Sequence, residues 1–291
     1  MNNGIRELRQ PPALLPLFVK AVAKRSRAMS EPALPQHRLA LTMRPITAKL
    51  KAYHRLVGWQ GEGIHPCWLQ VRALPLQLSL LTDKCCPFAV MGLMHMKNRI
   101  QQYQPVRENM ALELSCSLDA LKKHRMGWQF EILTQARHHK KLVWESVATS
   151  LAPTVKVQAG QRQRQAPEPP EVQALECWSL EADLGRRYAS VSGDYNPIHL
   201  HPLTSSMFGF PQPIIHGMWS YARILSALTE HGYIDTDFSS SVTFKRPLVL
   251  PGDAELYLNG EEASVNQGRF ELRAESGHKV LLNGDWQALR R

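Results

Sequence analysis

No apolar run in the 291-residue chain approaches the ~18 to 20 residues that a bilayer-spanning helix needs, so no transmembrane helix is expected. The N-terminal stretch ALLPLFVKAVAK is interrupted by Lys20 where a secretory signal would have its apolar centre. Cysteine is scarce as well. Cys67, Cys85, Cys86, Cys116 and Cys177 are odd in number and form no CxxC spacing, which excludes a disulfide framework and a cysteine zinc site and makes the cytoplasm the expected location. Acidic residues are outnumbered, 25 Asp and Glu against 35 Lys and Arg, and the resulting charge of +10 favours an acidic partner: nucleic acid, anionic lipid, or a carrier such as coenzyme A or acyl carrier protein. The densest basic groups, KRSR at 24–27, RHHKK at 137–141 and RQR at 162–164, read as solvated faces. Residues 13–27 have the composition of a basic amphipathic helix, and a loosely packed, frayed terminus is expected there rather than a membrane contact.

The length favours two domains. Residues 158–172, QAGQRQRQAPEPPEV, hold almost no apolar side chain and read as a linker. It separates residues 37–157 from 173–291, with residues 1–36 as an N-terminal extension. The two halves repeat one another at four places in the same order. Tyr53 and Gly58 of YHRLVGW match Tyr188 and Gly193 of YASVSGD, and IHPCW at 64–68 matches IHGMW at 215–219. YQPVRENMALEL from 103 matches KRPLVLPGDAELYL from 245, and GWQFEI at 127–132 matches GRFEL at 268–272. Each match is weak alone, but the shared order identifies a tandem duplication.

Within each unit a helical pattern precedes strand-like runs. Met218, Tyr221, Ala222, Leu225 and Leu228 keep helical spacing, as do Trp68, Val71, Leu74, Leu78 and Leu81, with a kink expected at Pro75. SVTFKRPLVL, AELYLNG and FELRAE follow in the second half, and LMHMKNRIQQY, MALELSCSL and WQFEILTQA in the first. One long helix followed by antiparallel strands, twice, is an α+β arrangement with each helix packed on a curved sheet.

The chemistry concentrates in SGDYNPIH at 192–199 and HGM at 216–218. Gly193, Asn196 and Pro197 are turn formers, so the segment reads as a tight bend, neither helix nor strand, that leaves Asp194 and His199 pointing into one space. The alternative is that Asp194 caps a turn and His199 is a satisfied polar residue. His216-Gly217 stands just before a helical pattern, so the Gly217 N–H belongs to the unpaired donors of a helix N-terminus, with no Cβ to block a carbonyl oxygen. An acid/base pair facing such a donor suits proton removal beside a carbonyl.

YASVSGDYNPIHLHP followed by FGFPQPIIHGMWSYARIL resembles the hydratase 2 motif of the MaoC-like dehydratases, and the paired units resemble double-hotdog members of that family. The resemblance implies a tandem hotdog fold and a hydro-lyase that interconverts (R)-3-hydroxyacyl and trans-2-enoyl thioesters. It implies that Asp194 and His199 exchange protons with the substrate, that the Gly217 N–H stabilises the thioester oxygen, and that Asn196, His216 and Met218 shape and line the substrate site. No metal or redox cofactor is implied, because the thioester itself acidifies the Cα proton. Two departures stand out. His201 occupies a place where many members have Asp, and Leu225 one where some hydratases have Ser, with Ser226 adjacent.

In the first half Trp59 stands at the position of Asp194, and Pro66, which has no N–H, at that of Gly217. Gly58 lies 7 residues before His65 whereas Gly193 lies 23 before His216, so the stretch that holds the motif His is missing. One active site per chain is therefore expected, with Trp68, Leu69 and Leu74 of the first half walling an acyl tunnel. Arg186, Arg187, Lys245 and Arg246 are candidates for contact with an anionic carrier, and monomer and homodimer are both compatible with a paired fold. A hotdog thioesterase and a non-catalytic acyl-thioester-binding protein are the competing functions.

Overall fold

The computed structural model describes residues 4–27, 31–45, 47–154, 172–259, 263–274 and 276–289. The proposed linker, 158–172, lies outside these except for Val172. Eleven strands form one sheet: β1 (Ile5–Leu8), β2 (Arg38–Met43), β3 (Met94–Gln102), β4 (Leu112–His124), β5 (Gly127–His138), β6 (Lys141–Pro153), β7 (Glu176–Leu180), β8 (Phe238–Phe244), β9 (Gly252–Asn259), β10 (Gln267–Ala274) and β11 (Lys279–Ala288). The helices are α1 (Leu14–Ala23), α2 (Leu50–Val57), α3 (Trp68–Leu81), α4 (Leu184–Ser192), α5 (Pro202–Ser206) and α6 (Gly217–Glu230).

The strand order β1-β2-β4-β5-β6-β3-β8-β11-β10-β9-β7 shows the duplication as topology. The halves are joined where β3 pairs antiparallel with β8, Ile100 opposite Ser240. Outward from that seam, β6, β5, β4 and β2 on one side answer β11, β10, β9 and β7 on the other. Pairing is antiparallel throughout except between β1 and β2. This is the tandem hotdog arrangement, and one apolar core runs through both halves, including Tyr53, Trp68, Trp144, Tyr221, Phe270 and Trp286.

The two sequence-predicted helices are α3 and α6. In α6 burial extends over residues 219–222 and 224–228, so a wider arc is covered than the predicted stripe, and α6 is a core helix. In α3 the expected kink does not interrupt the helix. Pro75 lies inside Trp68–Leu81, and its carbonyl accepts the Ser79 hydroxyl at 2.8 Å. Three short helices were not foreseen: α5, α2, which contains YHRLV, and α4, which contains YASVS, the last two closed by a left-handed glycine, Gly58 (φ 68°) and Gly193 (φ 79°). The expected strand SVTFKRPLVL ends at Phe244. Lys245 and Arg246 N–H both turn onto the Leu281 carbonyl at 2.9 Å, and the chain then leaves the sheet.

The N-terminus is not frayed over its described residues. β1 extends the sheet edge beside β2, and α1 buries Leu17 and Ala21. Lys24 Nζ anchors the end of α1 on the carbonyls of Leu81, at 2.5 Å, and Asp83, at 2.9 Å. Among the described residues no helix is long and apolar enough to cross a membrane.

Candidate active site

The SGDYNPIH segment is more structured than its turn-forming residues suggest. Gly193 ends α4 with its N–H on the Ala189 carbonyl at 2.8 Å, and residues Pro197–His199 form one turn of 3₁₀ helix. Asn196 opens that turn by accepting the Ile198 N–H at 3.4 Å, and its own N–H donates to Asp194 Oδ1 at 3.2 Å. Pro197 suits the first position, where its missing N–H costs nothing. His201 caps α5: its Nδ1 accepts the Leu203 N–H at 3.2 Å.

A second segment comes to meet the loop. Ile215 N–H donates to the Leu248 carbonyl and Leu250 N–H to the Pro213 carbonyl, both at 2.9 Å, while Ile214 bridges to Val249. The chain beyond β8 therefore holds residues 213–215 straight and delivers His216 to the N-cap of α6. Ile214 in turn accepts the Nδ1–H of His199 at 2.7 Å, leaving Nε2 of that ring as the free lone pair. His216 donates Nε2–H to the main-chain carbonyl of Asp194 at 2.9 Å, and the rings of His199 and His216 stack with centroids 3.7 Å apart. Asp194, His199 and His216 thus each place a ligand-type atom within 4.8 Å of the others.

Burial pushes His199 below the ordinary imidazole range, opposed by the Asp194 charge and by the Ile214 carbonyl. Burial, and then the neighbouring His199, hold His216 well below that range. Both rings are neutral at physiological pH, so the site contains a carboxylate beside a buried neutral imidazole whose Nε2 is an acceptor. Two histidines and a carboxylate could also hold a first-row metal ion. Their atoms are spread over as much as 4.8 Å, so closing on an ion with bonds of about 2.0–2.2 Å would draw the loop inward.

Gly217 is the first residue of α6, and its N–H belongs to the turn that has no helical acceptor. A Cβ there would lie 2.9 Å from Phe244 Cε1, so glycine lets the Phe244 ring pack against the start of α6. Gly185 was missed by sequence reasoning. A Cβ on it would meet the His199 carbonyl at 2.1 Å, so it lets α4 press against the 3₁₀ turn. Its only sequence signal is a glycine inside a helical pattern, which costs about 1 kcal/mol and asks for a reason.

A cleft with about 220 Å³ of free volume opens beside these groups. Asp194, Asn196, Tyr188 and Met218 line one end, and Val71, Leu74 and Leu78 of α3 continue it with Phe18 and Ala21 of α1. Of the three residues expected to wall a tunnel, only Leu74 does so. Trp68 and Leu69 are core, and Trp68 packs on Tyr53 with ring centroids 4.9 Å apart. His199, His216 and Gly217 are not in the cleft wall: His199 lies behind Asp194, and His216 backs His199. Of the basic candidates, Arg187 pairs with Glu181 and Asp183, while Arg186 and Arg246 reach the carbonyls of Leu200 and Val280.

The corresponding place in the first half is filled. His65, the counterpart of His216, donates to the Ala222 carbonyl at 3.0 Å, and its Nδ1 accepts the Cys67 N–H at 2.9 Å. The Trp59 ring lies edge-on to it with centroids 4.7 Å apart, beside His65 as His199 lies beside His216.

The MaoC like domain family matches residues 158–281. Over 231 residues the chain is 31% identical to 3-hydroxyacyl-thioester dehydratase X of Mycobacterium tuberculosis, a match covering 77% of this chain and 81% of that protein. The chain belongs to the MaoC-like dehydratase family. The crystal structure of HtdX from the same organism superimposes with a TM-score of 0.72 at 27% identity, over 87% of this chain and all of that one. A probable enoyl-CoA hydratase 2 of Dictyostelium discoideum is 30% identical over 92 residues, 31% of each chain. In this MaoC-like chain Asp194 lines the cleft, the buried His199 lies within 4.8 Å of it, and Gly217 opens α6 next to the cleft-lining Met218.

Proposed function

We propose that the chain is a hydro-lyase that interconverts (R)-3-hydroxyacyl and trans-2-enoyl thioesters at one active site per chain. The observation that carries this reading is the neutral His199, its Nδ1–H spent on Ile214, within 4.8 Å of the cleft-lining Asp194. In dehydration the His199 Nε2 takes the proton from Cα, and Asp194 stabilises the imidazolium formed. Negative charge develops on the thioester oxygen, where the Gly217 N–H at the positive end of α6 receives it. The same proton then passes to the 3-hydroxyl, which leaves as water as the Cα–Cβ double bond forms. No net proton is gained or lost, and hydration runs backward through the same groups.

Asn196 holds the loop in register and His216 fixes its far side, so both are positioning residues; Met218 meets the substrate as part of the cleft wall. The first half, residues 37–157, acts as a non-catalytic partner that contributes the α3 side of the cleft, and residues 173–291 carry the chemistry. Coenzyme A or acyl carrier protein carries the acyl group, with the exposed Lys245 and Arg246 available to its phosphates.

Purified protein given crotonyl-CoA and longer trans-2-enoyl-CoAs tests this. Loss of the enoyl absorbance with (R)-3-hydroxyacyl product is expected. Release of free CoA without hydroxyacyl product would establish a thioesterase instead.

A further inference from the structure

The cleft is not uniformly apolar. Among Val71, Leu74, Leu78 and Ile132 it exposes two glutamines of α3, Gln70 and Gln77, two turns apart on one helix face, and opposite them His95 and Ser150. Gln77 is satisfied, its amide donating to Thr134 Oγ1 at 3.0 Å. Gln70 Oε1 and His95 Nε2 are buried and have no hydrogen-bond partner among the described residues.

The sheet itself aims His95 into the cleft. The β3–β6 ladder pairs His95 with Ser150 and Lys97 with Thr149, leaving Met96 as an unopposed bulge residue. Such a bulge bends its strand and redirects the neighbouring side chain. Burial brings the His95 imidazole down to about 4, opposed by the Lys97 backbone as a hydrogen-bond partner, so the ring is neutral and the nitrogen left without a partner is Nε2. Its Nε2 therefore offers a lone pair to the cleft and cannot donate.

An all-methylene acyl tail would seal this acceptor and the Gln70 amide away from water unpaired, which costs free energy. A hydroxyl matches both groups. It has a proton for His95 Nε2, and its oxygen suits the NH₂ end of Gln70 once that amide, whose Oε1 is the buried end, is turned over. A ketone only accepts, so it leaves His95 unmatched. We propose that the cleft selects acyl thioesters bearing a hydroxyl on the chain beyond C3, held between Gln70 and His95. This rests on the thioester hydro-lyase reading above and names its substrate class.

The test compares trans-2-enoyl-CoAs of one chain length: plain, hydroxylated at successive carbons beyond C3, and the matching ketones. One hydroxylated isomer is expected to exceed the plain substrate in kcat/KM by on the order of tenfold, and its ketone is not. Gln70→Leu and His95→Phe should each collapse that ratio. Because the readout is a ratio between substrates on one protein sample, partial loss of folded protein does not mimic the result. Equal turnover of plain and hydroxylated chains would overturn the proposal, as it would if ordered water already satisfies both atoms. A ratio that survives both substitutions would overturn it too, as would an equal loss on every substrate, which places His95 and Gln70 on the carrier arm or in the fold. If no enoyl thioester turns over, the hydro-lyase reading fails. Calorimetric binding of saturated plain and hydroxylated acyl-CoAs then decides the subsite by the same ratio.

Discussion

Asp194→Asn separates the chemistry of the site from its architecture. The side chain changes by one atom, and the Asn196 N–H that now reaches Asp194 Oδ1 at 3.2 Å can still find an amide oxygen there. The second tie to this residue, the His216 Nε2–H at 2.9 Å, goes to its main-chain carbonyl and is not altered at all. Weakening one partly exposed hydrogen bond costs about 0.5–1.5 kcal/mol at most, so the thermal midpoint should fall by only a few degrees. The catalytic loss should be much larger. Asn cannot stabilise the His199 imidazolium as a charge, and the partner that opposed desolvation of His199 is gone. Removing a positioned acid/base partner is worth about 10²–10⁴ in rate, or roughly 3–5 kcal/mol of barrier. The assay is the initial rate of enoyl absorbance loss beside a thermal melt on the same sample. Turnover within threefold of the parent would refute the acid/base assignment, and so would an activity loss fully accounted for by unfolded protein.

Gly217→Ala should lower kcat by tenfold or more and cost about 1–3 kcal/mol of stability, because its Cβ would lie 2.9 Å from Phe244 Cε1. Adding Phe244→Leu should restore part of both, and steady-state kinetics with melts on the double variant check this. Leu74→Trp should leave crotonyl-CoA turnover near the parent value and raise KM for long enoyl-CoAs by about tenfold, since Leu74 lines the α3 side of the cleft; equal effects on both lengths would place Leu74 in the core instead. Acid should destabilise the fold. His65 is held down to about 3 and His95 to about 4, against an ordinary 6.5, because burial disfavours their charged forms. Between those values and 6.5 the unfolded chain binds protons that the folded chain does not, so stability is complete above the ordinary value and is lost as pH falls through this window. Denaturant midpoints at pH 7, 5.5 and 4.5 should fall in that order, and a constant midpoint would contradict neutral burial.

What could be read from sequence was whatever repeats or punctuates. The four anchors between the halves led to the mirrored strand order, and HGM led to the N-terminus of α6, because both depend on local spacing. Strands β2, β6, β7 and β11 were not distinguished, since runs such as KLVWESVATSLAP alternate little and take their identity from pairing partners far along the chain. The loop looked like a bare turn because its order comes from outside it: Ile214 holds His199, and the Asp194 carbonyl holds His216. Neither bond has a sequence signature.

The same non-local dependence explains how two related halves diverged. In the second half the ring stacked on His216 is His199, carried on an insertion braced by Ile214, Gly185 and α5. In the first half the neighbour of His65 is Trp59, whose indole N–H donates to the Gly63 carbonyl at 3.1 Å. Trp59 substitutes packing for chemistry: a large ring tied to its own short loop fills the space that would otherwise need a loop, a polar partner and a cleft. Restoring Asp at position 59 would leave a buried carboxylate with no imidazole opposite it and Pro66 with no N–H to offer, so a second site cannot be recovered one residue at a time. The first half is thereby freed to change its cleft-facing residues, and Val71, Leu74, Gln70 and His95 all come from it. On the proposed mechanism, acyl selectivity and proton transfer reside in different repeats. Substitutions on the α3 side should alter which substrate is turned over with little effect on how the proton moves.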